Sequence, residues 1–268
     1  MTLFMDEALS RRLERAEGQV SASFAQTQQR EAPDRGSSWR DFDGVTAIYD
    51  GATSPVTQTF GLGLFTPATP EQLEAIEAYF LERKAPVLHE ISPLAGIATT
   101  ALLVERGYRP IELSSVLVFD LAGLPSVTAG SGLAVRRCEA SERLAWVETS
   151  VQGWGSEPEV AEVLRSMAET ASKNAAMAHF LVERDRAMIA TGSVGIHDDV
   201  AVLAGASTVP SGRGLGAQGL LLAARLKEAH ARGCTVAVMA ALPGSTSQRN
   251  AERRGFRIAY SRTKWRRD

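Results

Sequence analysis

The sequence predicts a two-domain α/β chain, with halves at residues 1–125 and 131–268. Three observations carry that reading. A glycine-rich loop, residues 207–219, stands between an apolar strand and a long helix. A unit of strand, helix, Gly-aromatic and strand occurs twice, at 87–119 and 236–265. The chain of 268 residues also has room for two domains of about 100–150 residues.

The elements follow in order. Residues 6–20 carry Leu9, Leu13 and Val20 at loosely helical spacing. Residues 24–38 are polar, include Pro33 and Gly36, and read as a loop. Strands are expected at 45–49 and 56–65 around a turn at 51–55. Thr69-Pro70-Glu71 has the N-cap, first-turn proline and acid of a helix start, so a helix should run to about residue 84. A strand (86–91), a helix (94–106) stopped by Gly107, and a strand (111–121) complete the first half. Residues 123–132, Gly-Leu-Pro-Ser-Val-Thr-Ala-Gly-Ser-Gly, read as a linker. Beyond it come a strand (133–137), helices at 141–152 and 159–173 separated by Gly153-Trp154-Gly155, and a hairpin of 178–183 with 187–196. A strand (200–208), the glycine loop, a helix (215–232) capped by Gly233, a strand (235–241), a short helix (245–254) and a last strand (257–265) close the chain.

The two halves echo each other. Glu105-Arg106-Gly107-Tyr108-Arg109 matches Arg253-Arg254-Gly255-Phe256-Arg257 in type, as tandem copies would. In the first half Leu64-Phe65-Thr66-Pro67-Ala68 stands where the second has its glycine loop, so only the second copy should keep a phosphate site.

Composition excludes several classes. The chain is 44% hydrophobic and 22% charged, which suits a folded globular protein. A net charge of −2 argues against a nucleic-acid partner. No apolar run approaches the ~20 residues of a membrane span, and the charged N-terminus is no signal peptide. Cys138 and Cys234 form no metal or disulfide pattern. A cytoplasmic location and no metal are the expectations.

Within the loop, Gly214, Gly216 and Gly219 expose main-chain N–H groups at the positive end of the following helix. That is a place for a diphosphate. Gly214 to Gly219 satisfies G-x-G-x-x-G, but the next strand ends without an Asp or Glu to hold a ribose. No Gly-Lys-Ser/Thr is present for a nucleoside triphosphate.

The ordered set of strand, Ser211-Gly212-Arg213-Gly214-Leu215-Gly216, long helix, strand and Gly255-Phe256 resembles the GNAT superfamily of N-acetyltransferases. The match covers about residues 131–268, and a fainter version covers 40–121, as in proteins built from two such domains. The resemblance implies an α+β fold in each half: a mixed, mostly antiparallel sheet flanked by helices. It implies acetyl-CoA as co-substrate, held by Ser207, Thr208, Val209, Arg213, Gly214, Leu215, Gly216, Ala217, Gln218 and Gly219. The strand at 203–209 would splay from its neighbour, pair with pantetheine, and turn an N–H near Val209 to the thioester carbonyl. Asn250 and Arg254 would join the CoA site, Arg254 at the 3′-phosphate.

Acetyl then passes by direct attack of an amine of a small molecule or peptide in a ternary complex. Two departures from the family pattern matter. Ser211 replaces the usual Gln or Arg, and Ala251 stands where the family often has a tyrosine that protonates the departing thiolate. Ser247, Asn250 and Tyr260 are the substitute catalytic candidates; Trp154 and Glu148 are candidates for the acceptor side. Two copies in one chain suit a monomer or a homodimer. The alternative is a non-catalytic module that binds or senses CoA.

Overall fold

The computed structural model describes residues 3–124, 132–155 and 158–268. Most of the expected linker therefore lies outside the described residues. The chain forms two compact units: Met1–Leu117 with Ala240–Gln248 and Arg257–Asp268, and Val118–Met239 with Arg249–Phe256. The mixed, mostly antiparallel strands flanked by helices agree with the expected α+β class.

The first unit opens with α1 (Glu7–Glu31), capped by the Asp6 carboxylate, which accepts from Leu9 N–H. The helix continues through the stretch expected to be a loop. Phe24, Ala25, Thr27 and Gln28 are buried, so tertiary packing overrides the polar composition. Next come β1 (Ser38–Phe42), β2 (Val45–Tyr49) and β3 (Gln58–Phe60). The sequence reading missed β1. Its signal was Asp43-Gly44, whose positive φ values of 53° and 92° suit a two-residue hairpin turn. β3 is shorter than the expected 56–65, because the chain turns at Gly61 and Gly63, both with positive φ.

Then follow α2 (Pro70–Leu81), β4 (Val87–Ile91), α3 (Gly96–Glu105) and β5 (Arg109–Asp120). Thr69 caps α2 as its sequence suggests, accepting from Gln72 N–H. The terminal strand β11 (Arg257–Arg267) was expected with the second half. It pairs antiparallel with β4 instead, Thr263 opposite Ile91 and Arg267 opposite Val87. The strand order in this unit is β1-β2-β3-β4-β11-β5. Leu62, Leu64, Leu73, Ile76, Phe80 and Leu103 fill its core.

The second unit has β6 (Leu133–Arg137), α4 (Arg143–Trp154), α5 (Pro158–Lys173), β7 (Met177–Arg184), β8 (Ala187–His197), β9 (Val200–Thr208), α6 (Ala217–Ala231), most of β10 (Val236–Ala241) and the second half, from Arg249, of the short α7 (Thr246–Glu252). Its strand order is β10-β9-β8-β7-β6. β9 and β10 are parallel, and the other neighbours are antiparallel. Trp146 anchors the core with Val147, Ala168 and Leu181, its indole N–H donating to Phe180 O at 3.0 Å. Helices α4 and α6 both lie against β8 and β9, so the site is framed between them.

Candidate active site

The site begins where β9 leaves β10. The parallel ladder runs for three pairs, Val200–Val202 with Val236–Val238. From Leu203 onward the β10-facing edge of β9 has no ladder partner among the described residues. On its other edge β9 stays paired with β8, through a bulge. Ser193 stands opposite Ala204, and Thr191 opposite Ser207. Three steps on β9 thus answer two on β8. Gly205 absorbs the extra residue with φ of 60°, a conformation that L side chains rarely take. This kink in the middle of an apolar strand re-aims the main chain of β9. The sequence did show its signal, a lone glycine inside a strand.

Past Thr208 the chain makes a short 3-10 turn at Pro210–Gly212 and then the glycine loop. Gly214 and Gly216 have φ of 77° and 89°. Gly216 is the N-cap of α6 and offers no side chain, nor is there an acid in the first turn. The N–H groups of Gly214, Leu215, Gly216, Ala217 and Gln218 make no hydrogen bond among the described residues. Those of Arg213 and Gly219, at either end, turn back onto Pro210 O and Gly216 O. Five consecutive unpaired donors at a helix N-terminus form an anion cradle. The loop is exposed from Arg213 to Gly216.

Side chains brace this loop. Gln218 Nε2 donates to Thr208 Oγ1 at 2.7 Å, tying the helix start to the strand end. Arg213 reaches Gly153 O at 3.2 Å and Thr208 O at 3.4 Å. Arg254 lies across the first turn of α6. A β-carbon on Gly219 would come within 2.8 Å of its Cζ, so Gly219 is small to admit this guanidinium. The Arg254 side chain has no ion pair or hydrogen bond among the described residues. A cation at the positive end of a helix is unfavourable by itself; an anion would reverse the balance.

The other wall is the end of α4. Gly153 packs directly on β9: a β-carbon there would meet Ser207 Oγ at 2.6 Å and Thr208 N at 2.8 Å. Ser207 Oγ donates to Ser150 O at 3.1 Å and also meets Thr191 Oγ1. Trp154 closes α4 and is 55% exposed, before Gly155 at φ 144° ends the helix.

A strand that parts from its parallel neighbour, a bulge, and a bare-amide loop at a helix start are the features that position this site. The chain superposes on a GCN5-related N-acetyltransferase from Kribbella flavida with TM-score 0.67 and 19% identity, covering 91% of this chain and 95% of that one. The fold is that of the GCN5-related N-acetyltransferases. A second such protein, from Sphaerobacter thermophilus, gives TM-score 0.57 at 17% identity over 74% of this chain and 66% of that one. A tandem GNAT protein from the clavulanic acid biosynthesis pathway gives 0.58 at 15%, over 83% and 77%. No family model and no curated sequence matches the chain.

Within the N-acetyltransferase fold, the sequence-predicted residues divide. Ser207, Thr208, the loop 213–219, Trp154 and Arg254 come together around the end of β9. Val209 N–H is committed to Ile189 O at 2.9 Å, so it is not free to serve as the donor expected of it from the sequence. Asn250 is half-buried on α7, and its side chain has no hydrogen bond among the described residues. Ser247 is exposed and belongs to the first unit. The N-cap role falls to Ser245, whose Oγ accepts from Gln248 N–H at 3.2 Å.

Tyr260 also lies in the first unit. It is buried, donating to Glu14 Oε1 at 2.7 Å, and burial with Glu14 beside it holds its pKa well above the ordinary value. Glu148 sits on the surface in a bidentate pair with Arg165. That hydrogen bond lowers the pKa of Glu148, which makes it a weak base. Ala251 is buried at 2% exposure, leaving no acid at that position. Burial pushes the Cys138 thiol up to about 11 and raises Cys234, so neither is a thiolate nucleophile. A cavity of about 450 Å³ lies between β6 and α6, lined by Val135, Leu220 and Lys227.

Proposed function

We propose that the second unit binds acetyl-CoA and transfers its acetyl group to an amine of a small molecule or peptide. The observation that carries this reading is the run of five unpaired N–H groups at the start of α6, reached from an unpaired edge of β9. The residues fit the co-substrate. Amides 214–218 and the unpaired Arg254 would hold its phosphates. The open edge of β9 would accept an extended amide chain as an added strand. Glycine at 214 and 216 lets phosphate oxygens approach the main chain.

When bound, acetyl-CoA supplies an activated thioester carbonyl. The N–H groups of β9 near the bulge face the carbonyl oxygen and steady its negative charge. Trp154 bounds the space for the amine. The amine nitrogen forms the new C–N bond, the C–S bond breaks, and the amine proton leaves with CoA as the free thiol. Asn250, with its unpaired amide, orients the thiol end or a water that relays this proton. In this reading the chain is a GNAT acetyltransferase whose first half, with 61–69 filled by Leu62, Leu64 and Phe65, is a degenerate copy.

A second reading rests on a specific observation. Ala251 carries no acid, Tyr260 is held by Glu14 and Glu148 by Arg165. A module lacking both acid and base would bind CoA without turning it over. Calorimetric titration with acetyl-CoA, followed by thiol release over a panel of amines, separates the two. Binding with thiol release supports the enzyme, and binding with none for any amine supports the sensor. No binding sinks both.

A further inference from the structure

Arg225, on α6, is buried at 4% exposure. No carboxylate pairs with it among the described residues. Its Nε donates to Leu221 O at 3.2 Å, and its Nη1 to Ser193 O at 3.3 Å. Burial lowers its pKa to about 10, so it remains a cation at neutral pH. A buried charge without a counterion destabilises the fold, and an apolar side chain of the same size would serve the core better. Its surroundings point to a use. The guanidinium lies flat against Gly192, where a β-carbon would stand 3.3 Å from Cζ. Gly192 falls between Thr191 and Ser193, opposite the extra residue of the β9 bulge. One arginine therefore backs the kinked stretch at which β9 turns its main chain into the open cleft.

We infer that Arg225 is a positioning residue for the thioester carbonyl: it pins the β8 main chain behind the bulge and places a positive potential where β9 amides meet the carbonyl oxygen. The inference rests on acetyl-CoA binding along β9. A cationic charge about 10 Å from a developing oxyanion, in an effective dielectric of about 20, is worth on the order of 10-fold in rate.

The test uses full-length wild type and the variants R225M, R225K and R225Q. Each is titrated calorimetrically with acetyl-CoA carrying carbon-13 at the carbonyl, and the bound thioester is read by isotope-edited infrared difference spectroscopy. The expected result is unchanged affinity throughout. The wild-type carbonyl band is shifted down from that in water, R225K keeps the shift, and R225M and R225Q lose much of it. R225M is also expected to be at least as resistant to urea as the wild type. R225Q stands in should R225M not fold, because its amide nitrogen takes the place of Nε, the donor to Leu221 O.

The same carbonyl band in wild type and the neutral variants overturns the inference. So does loss of acetyl-CoA binding in the neutral variants alone, which marks a purely structural role. Failure of the wild type to bind acetyl-CoA refutes the underlying reading and takes this one with it.

Discussion

Replacing Glu14 by Gln tests the least expected group in the first unit. Glu14 projects from α1 into a buried cluster, 1% exposed. Arg262 Nη1 lies 3.3 Å from both its oxygens, and Tyr260 donates to Oε1. Glu17 shares Arg262 at 2.6 Å. Glu90 takes Arg262 Nε at 3.0 Å and Lys264 at 3.2 Å. Three carboxylates thus face two cations away from water. Desolvation outweighs the attraction of Arg262, and Glu14 is pushed from 4.5 up to about 7. A carboxyl whose folded pKa lies above its unfolded one holds its proton more tightly when folded. Its contribution is fully present below pH 4.5 and is lost as pH rises through 7.

Between those values, at about 1.36 kcal/mol per pH unit, the loss comes to about 3 kcal/mol. Burial holds His89 down at about 3 and His179 at about 4, so these two add stability as pH rises toward 6.5 and mask the effect in the wild type alone. The difference between two proteins isolates it. Urea unfolding of wild type and E14Q is to be measured from pH 5 to pH 9. The two should match near pH 5, where Glu14 is protonated and Gln is its neutral equivalent. E14Q should lead by about 2–3 kcal/mol at pH 9. Parallel curves, or a wild type that gains on E14Q with rising pH, would refute the account of this cluster.

Other predictions concern the second unit. The double variant G214V/G216V puts β-branched residues at φ of 77° and 89°, at a cost of about 1–2 kcal/mol each; acetyl-CoA should no longer raise its melting temperature, and a retained shift counts against the amide cradle. R254A should weaken acetyl-CoA binding by about 10-fold at low salt, with the gap narrowing as salt rises; affinity and salt dependence identical to wild type would remove Arg254 from the site. W154A removes a side chain that is 55% exposed, so its unfolding free energy should stay within about 0.5 kcal/mol of wild type. With any amine that supports turnover, its KM for the amine should rise while acetyl-CoA affinity holds; an unchanged KM would separate Trp154 from the acceptor pocket.

Much of the second unit was legible because its signals are local. β6 and β9 match their expected bounds at 133–137 and 200–208, and the glycine loop announces itself by composition. The first unit was harder to read where tertiary contacts overrule local preference. Residues 24–31 look like a loop, yet Ser23 and Thr27 send hydroxyls to main-chain carbonyls of their own helix while Phe24 and Ala25 pack inward. The partner of β11 lies far away in sequence: nothing near residue 263 reveals that it faces Ile91. Tyr260 illustrates the consequence for function. As a tyrosine just beyond α7 it reads as a spare acid, but the residue that claims its hydroxyl is 246 positions away.

On the proposed reading of the halves as two copies of one plan, the same contrast explains why they end differently. After β3 the first unit also turns on glycines, at Gly61 and Gly63, but the following side chains fold inward. Leu62 and Leu64 are buried, Leu64 N–H is spent on Gly61 O, and Arg11 of α1 caps Leu64 O at 2.6 Å. Phe65 fits against Gly44 and Gly61, each of which has room for no β-carbon there, with Arg15 over its ring at 4.3 Å. In the second unit the corresponding loop keeps its amides in solvent and has no aromatic side chain to fold over them. Apolar burial of this kind is worth about 1.5–3 kcal/mol per large side chain. A loop that leaves it unused, with five donors unpaired and two residues in left-handed conformations, is retained at a cost in stability. Under the proposed function, binding of an anion is the interaction that offsets that cost.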